Sequence, residues 1–171
     1  MDQILFSTGE CVHGVVLVAR SERGVCAILL GDDAGELARD LQVRFPEAAR
    51  AELEPLLSKV ASFVAQPATG LDIPLDVRGS EFQQRVWQAL REIPAGSTES
   101  YGRVAARIGA PDAAKEVGEA CAANVLAVAI PCHRVVRKGG GLAGYRWGVR
   151  RKRALLRQEG VRIAETADLF E

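Results

Sequence analysis

Cys132, His133 and Arg134 stand side by side in "IPCHRVVR", at the end of the almost wholly apolar run "ANVLAVAI". A cysteine reacts as its thiolate, and a neighbouring imidazole or cation promotes that form. Adjacent residues on an extended strand point to opposite sides, so Cys132 and His133 serve one site only on a bend. Pro131 favours a bend there. A buried structural cysteine needs no polar company, and the polar company here is what argues for chemistry. Glu159, farther along, can orient the imidazole, and thiol, base and carboxylate together form the set of an activated nucleophile. That set predicts a thiol pKa below that of a free cysteine. It does not name the reaction, because a thiol hydrolase and a one-way acceptor have the same three residues.

The elements that must position this set can be read from periodicity. Two β-branched runs, Val15–Ala19 and Val25–Leu30, flank "RSERG" and predict a hairpin. "AGELARDLQVRF" and "AELEPLLSKVASFVAQ" carry apolar residues at helical spacing, the second with Leu56, Leu57, Val60 and Val64 on one face. "LDIPLDVRG" reads as an edge strand or linker, because Pro74 cannot donate to a ladder. A domain boundary is expected there, giving domains over residues 1–78 and 79–171. "SEFQQRVWQALREI" opens on a serine cap and directs Phe82, Val86, Trp87 and Leu90 to one side. "ESYGRVAARIG" and "APDAAKEVGEACAAN" are two short helices joined at a glycine, the pattern of a helix-turn-helix or of two packed helices. The glycine-rich "GGGLAGYRWG" then leads into the basic helix "RRKRALLRQEG".

The 171 residues carry no net charge, yet the charge is unevenly spread. Residues 1–60 hold ten acids against six Lys or Arg, whereas residues 132–158 hold nine Lys or Arg and no acid. Such a stretch is either the footprint of a polyanion site or a solvated basic helix. No apolar run is long enough to span a bilayer, and the first residues lack the pattern of a signal peptide. The four cysteines match no small disulfide scaffold, which suggests a reducing, cytoplasmic setting.

"IPCHRVV", with Asn124 eight residues before its cysteine and "GYRWG" and "LLRQEG" after it, resembles the O6-alkylguanine-DNA alkyltransferases. The likeness runs from "ARSERGVCAILLGDD" through "FQQRVWQAL" to "QEG", nearly the whole chain. It implies an α/β fold: a small N-terminal ribonuclease-H-like domain, then a helical, winged-helix-like domain with a helix-turn-helix. It implies DNA repair by irreversible, single-turnover transfer of an alkyl group from O6-alkylguanine, or also O4-alkylthymine, to Cys132. By the same resemblance His133 is a water-linked base, Glu159 orients it, and Asn124 braces the turn. Tyr101 meets N3 of the departing guanine. Val135, Tyr145, Arg146 and Lys152 belong to the base pocket, and Ala113, Ala114, Lys115 and Gly118 to the DNA-contacting helix. The expected partner is double-stranded DNA with the alkylated base flipped out, bound by a monomer with no membrane role and no cofactor. Some relatives hold a structural zinc, but Cys11, His13 and Cys26 fall one ligand short of a closed site. Others have a preceding half with a four-cysteine zinc site. Nothing of it precedes Met1, so a repair domain alone or a fragment is expected.

The DNA-contacting helix departs from the family pattern. Lys115 takes the place of an arginine finger, keeping its charge and losing its planar fork. Glu116 and Glu119 occupy positions that are small in relatives. Helical geometry turns Val117, Cys121 and Asn124 inward and leaves Lys115 and Glu119 outward, where they could pair. Carboxylates there oppose a phosphate-lined groove, so the alternative function is a lesion-binding or regulatory module with weak transfer.

Overall fold

The computed structural model describes residues 3–163. They fall into two compact units: the residues up to Arg78 together with Val125–Ala129, and Gly79–Asn124 together with the residues from Ile130 on.

The first unit is built on a sheet. Strands β1 (Leu5–Cys11), β2 (Gly14–Arg20) and β3 (Val25–Gly31) form an antiparallel meander, with Leu17 opposite Thr8 on one side and Leu29 on the other. The predicted hairpin is β2–β3. β1 was not expected, because Ser7, Thr8, Gly9 and Glu10 interrupt its apolar alternation. Helix α1 (Ala34–Arg44) starts at Asp33, whose side chain accepts from the Glu36 amide at 2.9 Å. The chain then forms the two-residue β4 (Ala49–Arg50), which pairs parallel with β1 and completes the order β3-β2-β1-β4. Helix α2 (Leu56–Ala65) follows and buries Val60, Phe63 and Val64.

The outer edge of β3 is used twice. Val25 bridges to Leu75, its amide donating to Pro74 and its carbonyl accepting from Asp76. Pro74 therefore lies in an edge segment and supplies only its carbonyl, as its missing N–H requires. A side chain at Gly24 would collide with that carbonyl. Ile28 bridges to Leu126 in the same manner, through Val125 and Ala127. The apolar "VLAVA" is thus edge backbone of this unit, which its hydrophobicity alone did not reveal.

The second unit is mainly helical. Helix α3 (Glu81–Arg91) opens with a reciprocal cap: Ser80 Oγ accepts from the Gln83 amide and Gln83 Oε1 from the Ser80 amide. Its apolar side buries Val86, Trp87 and Leu90, and the Trp87 indole donates to the Ala120 carbonyl at 2.8 Å. After β5 (Glu99–Ser100) come α4 (Tyr101–Arg107) and α5 (Ala114–Ala123). The turn between them passes Gly109 at φ 80°, a left-handed conformation that suits glycine. α5 starts four residues later than its sequence pattern suggests. Residues 110–113 form a separate turn closed by the Ala113 amide on Ala110, and Ala113 caps the helix from outside. A short 3-10 turn, Cys132–Arg134, leads into β6 (Val135–Val136), which pairs parallel with β5. Helix α6 (Val149–Gln158) closes the described part of the unit.

α6 corrects one expectation. Its basic sequence is neither a continuous solvated face nor a continuous polyanion surface, because Lys152 is completely buried, as is most of Arg134 before it. Among the described residues no helix is long and apolar enough to cross a membrane. No cluster of three His, Cys, Asp or Glu suited to a metal occurs among them either.

Candidate active site

The bend expected at Pro131 is a pair of tight turns. Pro131 has φ −81° and ψ 63°, and the Cys132 amide donates back to the Ile130 carbonyl at 2.8 Å. The Arg134 amide then donates to Pro131 at 2.9 Å, which starts the 3-10 turn. Asn124, at the end of α5, fixes this arrangement from one side. Its Nδ2 donates to the Ile130 carbonyl at 2.9 Å and to Cys132 Sγ at 3.3 Å.

Behind the thiol lies a closed network of charge. His133 Nε2 is 3.0 Å from Glu159 Oε2. Arg134 grips the same carboxylate with both arms, Nε to Oε1 at 3.0 Å and Nη2 to Oε2 at 2.7 Å, and donates Nη1–H to the Ile93 carbonyl at 2.6 Å. Burial alone would raise the Glu159 pKa, but the hydrogen bonds from His133 and Arg134 outweigh it and bring it to about 2. An ionised carboxylate only accepts, so His133 Nε2 carries the proton in this pair. Burial also lowers the His133 pKa against the pull of Glu159, which keeps the ring neutral. Its Nδ1 is then a free lone pair, buried and without a hydrogen-bond partner among the described residues.

The thiol departs from expectation. Burial dominates and raises the Cys132 pKa, and the Asn124 hydrogen bond and the charges of Lys152 and Arg146 offset this only in part. The triad does not lower it directly, since the imidazole proton is spent on Glu159 and no hydrogen bond joins His133 to Cys132. Cys132 is therefore stored as a protonated thiol beside a neutral base.

A cavity of about 340 Å³ opens on Cys132. Tyr101, Gly118, Cys121 and Ala122 line it from α4 and α5, and Gly144, Tyr145 and Arg146 from the glycine-rich loop. The Tyr101 ring lies against Gly118, where a Cβ would come within 3.7 Å of it. Arg146 is tied to α5 by Nη1–H donating to the Ala122 carbonyl at 3.1 Å. Tyr145 meets Trp147 edge-on, at 5.3 Å between centroids. Its hydroxyl oxygen is buried with no hydrogen-bond partner among the described residues.

Of the residues singled out by sequence, Cys132, Tyr101, Gly118, Tyr145 and Arg146 line this cavity. Asn124, His133 and Glu159 stand behind it. Val135 and Lys152 are also withdrawn: the Lys152 ammonium donates to the Val135 carbonyl at 2.6 Å and to Gly144 at 3.4 Å, so it joins the loop to the strand after the thiol. Ala113, Ala114 and Lys115 lie at the start of α5, outside the lining, with Lys115 exposed. No ion pair joins Lys115 to Glu119 among the described residues. Sequence reasoning missed Arg134 as the second partner of Glu159. The available signal was an arginine inside an apolar stretch, which requires a carboxylate.

The chain is similar to several known proteins. The 6-O-methylguanine DNA methyltransferase DNA-binding domain matches residues 81–161. The bifunctional transcriptional activator/DNA repair enzyme Ada of Escherichia coli is 52% identical over 160 residues, covering 91% of this chain. The chain spans 45% of the length of that relative. The methylated-DNA–protein-cysteine methyltransferase of Mycolicibacterium paratuberculosis is 38% identical over 168 residues, covering 98% of this chain and 99% of the relative. The crystal structure of Mycobacterium tuberculosis OGT in complex with DNA superposes with a TM-score of 0.75 at 34% identity, covering 98% of this chain and 99% of the other. On identity at matched length, the chain belongs to the methylated-DNA–protein-cysteine methyltransferase family.

Proposed function

We propose that this chain repairs DNA by moving an alkyl group from O6-alkylguanine onto Cys132, once and irreversibly. The observation that carries the reading is a buried thiol, held by Asn124 and backed by a neutral imidazole, facing a cavity of a size suited to one small ligand. In the transfer, Sγ attacks the saturated carbon in line as the C–O6 bond breaks, and the bonding pair leaves with guanine. The thiol proton passes through water to His133 Nδ1, and Glu159 and Arg134 stabilise the imidazolium that forms. Guanine takes up a proton and departs. The S-alkyl thioether is not cleaved back to the thiol, so each molecule acts once.

Such a carbon is inaccessible inside a duplex, so the nucleotide must be flipped into the cavity. Tyr101, at the α4–α5 wall, is suited to hydrogen-bond N3 of the departing base. α5 is the helix we assign to DNA, through Ala113, Ala114, Lys115 and Gly118, with the chain acting as a monomer in the cytoplasm, where its four free thiols persist. The exposed Glu116 and Glu119 favour one refinement, a weak hold on the duplex.

Incubation with O6-methylguanine DNA should add one methyl group per protein, on the peptide containing Cys132. Cys132→Ala should abolish transfer and keep DNA binding. Repeated turnover, or methyl found on Cys121, would sink the assignment.

A further inference from the structure

Two γ-turns precede Cys132, and they are of opposite hand. At Pro131 (φ −81°, ψ 63°) the Cys132 amide reaches back to the Ile130 carbonyl, in the relaxed form that a proline ring suits. At Val128 the Ala129 amide reaches back to the Ala127 carbonyl at 2.7 Å, across a residue with φ 68°. That form is rare and strained wherever the central residue has a Cβ. Val128 is the only non-glycine residue with positive φ among the described residues, and a β-branched side chain is the costliest kind to place there. Glycine would adopt the turn without that cost.

Accepting the alkyl transfer proposed above, we propose that Val128 is a positioning residue for it: the strained turn holds the chain on one course into Pro131 and so keeps Cys132 Sγ on the Asn124 side-chain amide. The bonds on either side show how the strain is held. Upstream, Val125 and Ala127 are pinned to the edge of β3 through the two backbone polar groups of Ile28. Downstream, the Ile130 carbonyl accepts from Asn124 Nδ2 at 2.9 Å and from the Cys132 amide at 2.8 Å. Only Val128 and Ala129 lie between these fixed points, so the chain must change course within two residues. The Val128 side chain is the anchor, only 2% exposed. A buried, β-branched residue has few backbone and side-chain conformations to explore, where glycine has many. The same Asn124 Nδ2 donates to Sγ at 3.3 Å, so a displaced Ile130 is felt by the thiol through the one amide they share. Attack on a saturated carbon is in line, and misplacing a reacting atom by about 1 Å can cost roughly 100-fold in rate.

The test compares Val128→Gly with Val128→Ala, which truncate the same side chain and differ in the Cβ that strains the turn. Urea midpoints should place the glycine variant above the alanine variant. That reverses the order which glycine's freedom in the unfolded chain produces at an ordinary site. Single-turnover transfer from a duplex containing O6-methylguanine should give the opposite ranking. The maximal rate of the glycine variant should lie about 10-fold below that of the alanine variant, with the half-saturating duplex concentration unchanged. A residue that served folding alone would make the more stable variant the faster one. A glycine variant that is less stable than the alanine variant, or that does not fold, overturns the strain. Equal maximal rates, or a difference confined to half-saturation, overturn the positioning role. A wild type whose Cys132 reacts with iodoacetamide yet takes no methyl from the duplex would instead overturn the function proposed above, and this role with it.

Discussion

The carboxylate behind Cys132 and the carboxylates on α5 carry the same charge and live under opposite rules. The Glu159 side chain is 1% exposed and held by a bidentate arginine and an imidazole. Glu116 and Glu119 are exposed and make no ion pair with Lys115. Around Glu159 every charge depends on its partner, so the loss of one strands another in a medium that cannot solvate it. On α5 water and salt already solvate each charge, and the loss of one strands nothing. The buried region can hold a reactive state in place. The exposed region can only bias an encounter.

The largest effect should come from breaking the buried set. Glu159→Ala leaves the Arg134 guanidinium without its carboxylate and should cost about 3–5 kcal/mol of stability. Urea unfolding at neutral pH measures it. A loss under about 1 kcal/mol would equate this pair with a surface ion pair and erase the contrast. Glu159→Gln keeps a hydrogen-bond acceptor, so it should unfold less readily than the alanine variant. It should nevertheless react slowly, because an amide cannot stabilise an imidazolium.

Acid should distinguish the members of that set next. The folded pKa of His133 lies below its ordinary 6.5, so the unfolded chain binds the proton more readily. Stability from a neutral His133 is therefore complete above pH 6.5 and begins to fall as pH drops below that value. Glu159, lowered from 4.5 to about 2, stabilises above pH 4.5 and loses its contribution as pH falls toward 2. Wild type should thus lose stability in two stages, and His133→Phe should flatten the first. Urea midpoints across pH 4.5–6.5 test this; equal slopes for both proteins would mean that His133 is not held neutral.

How far these regions were legible follows from the kind of force that shapes each. Local rules revealed the β2–β3 hairpin, the Ser80 cap and the outward face of α5, because β-branched runs, a capping box and helical spacing act within a few residues. The pairing of His133 with Glu159, twenty-six residues away in sequence, was anticipated from chemistry and resemblance. What stayed hidden depended on the tertiary environment. The thiol pKa moves opposite to the expected direction, because burial outweighs the Asn124 hydrogen bond and the charges of Lys152 and Arg146. Lys152, expected in the base pocket by resemblance and within a basic stretch by composition, is instead an internal tie to Val135 and Gly144. The pairing of β1 with β4 is non-local, and β1 carries too little apolar alternation to announce itself.

The smallest effect belongs to α5, and salt can sharpen it. Glu116→Ala together with Glu119→Gly removes two exposed charges that would oppose phosphate. An exposed charge interaction is worth about 0.5 kcal/mol, so the double variant should bind duplex DNA about fivefold more tightly at low ionic strength. The gain should shrink as salt rises, because screening weakens the repulsion along with every other exposed interaction. Stability should change little apart from the cost of a glycine within the helix, so Glu119→Ala serves as a control for that backbone effect. The competing view is that Glu119 steadies Lys115 in solution, in which case removing the acid frees the lysine and weakens binding. Affinity measured against salt for wild type and both variants separates the two. Curves that coincide at every salt concentration would mean that α5 does not face phosphate, and its assignment as the DNA-contacting helix would have to be withdrawn.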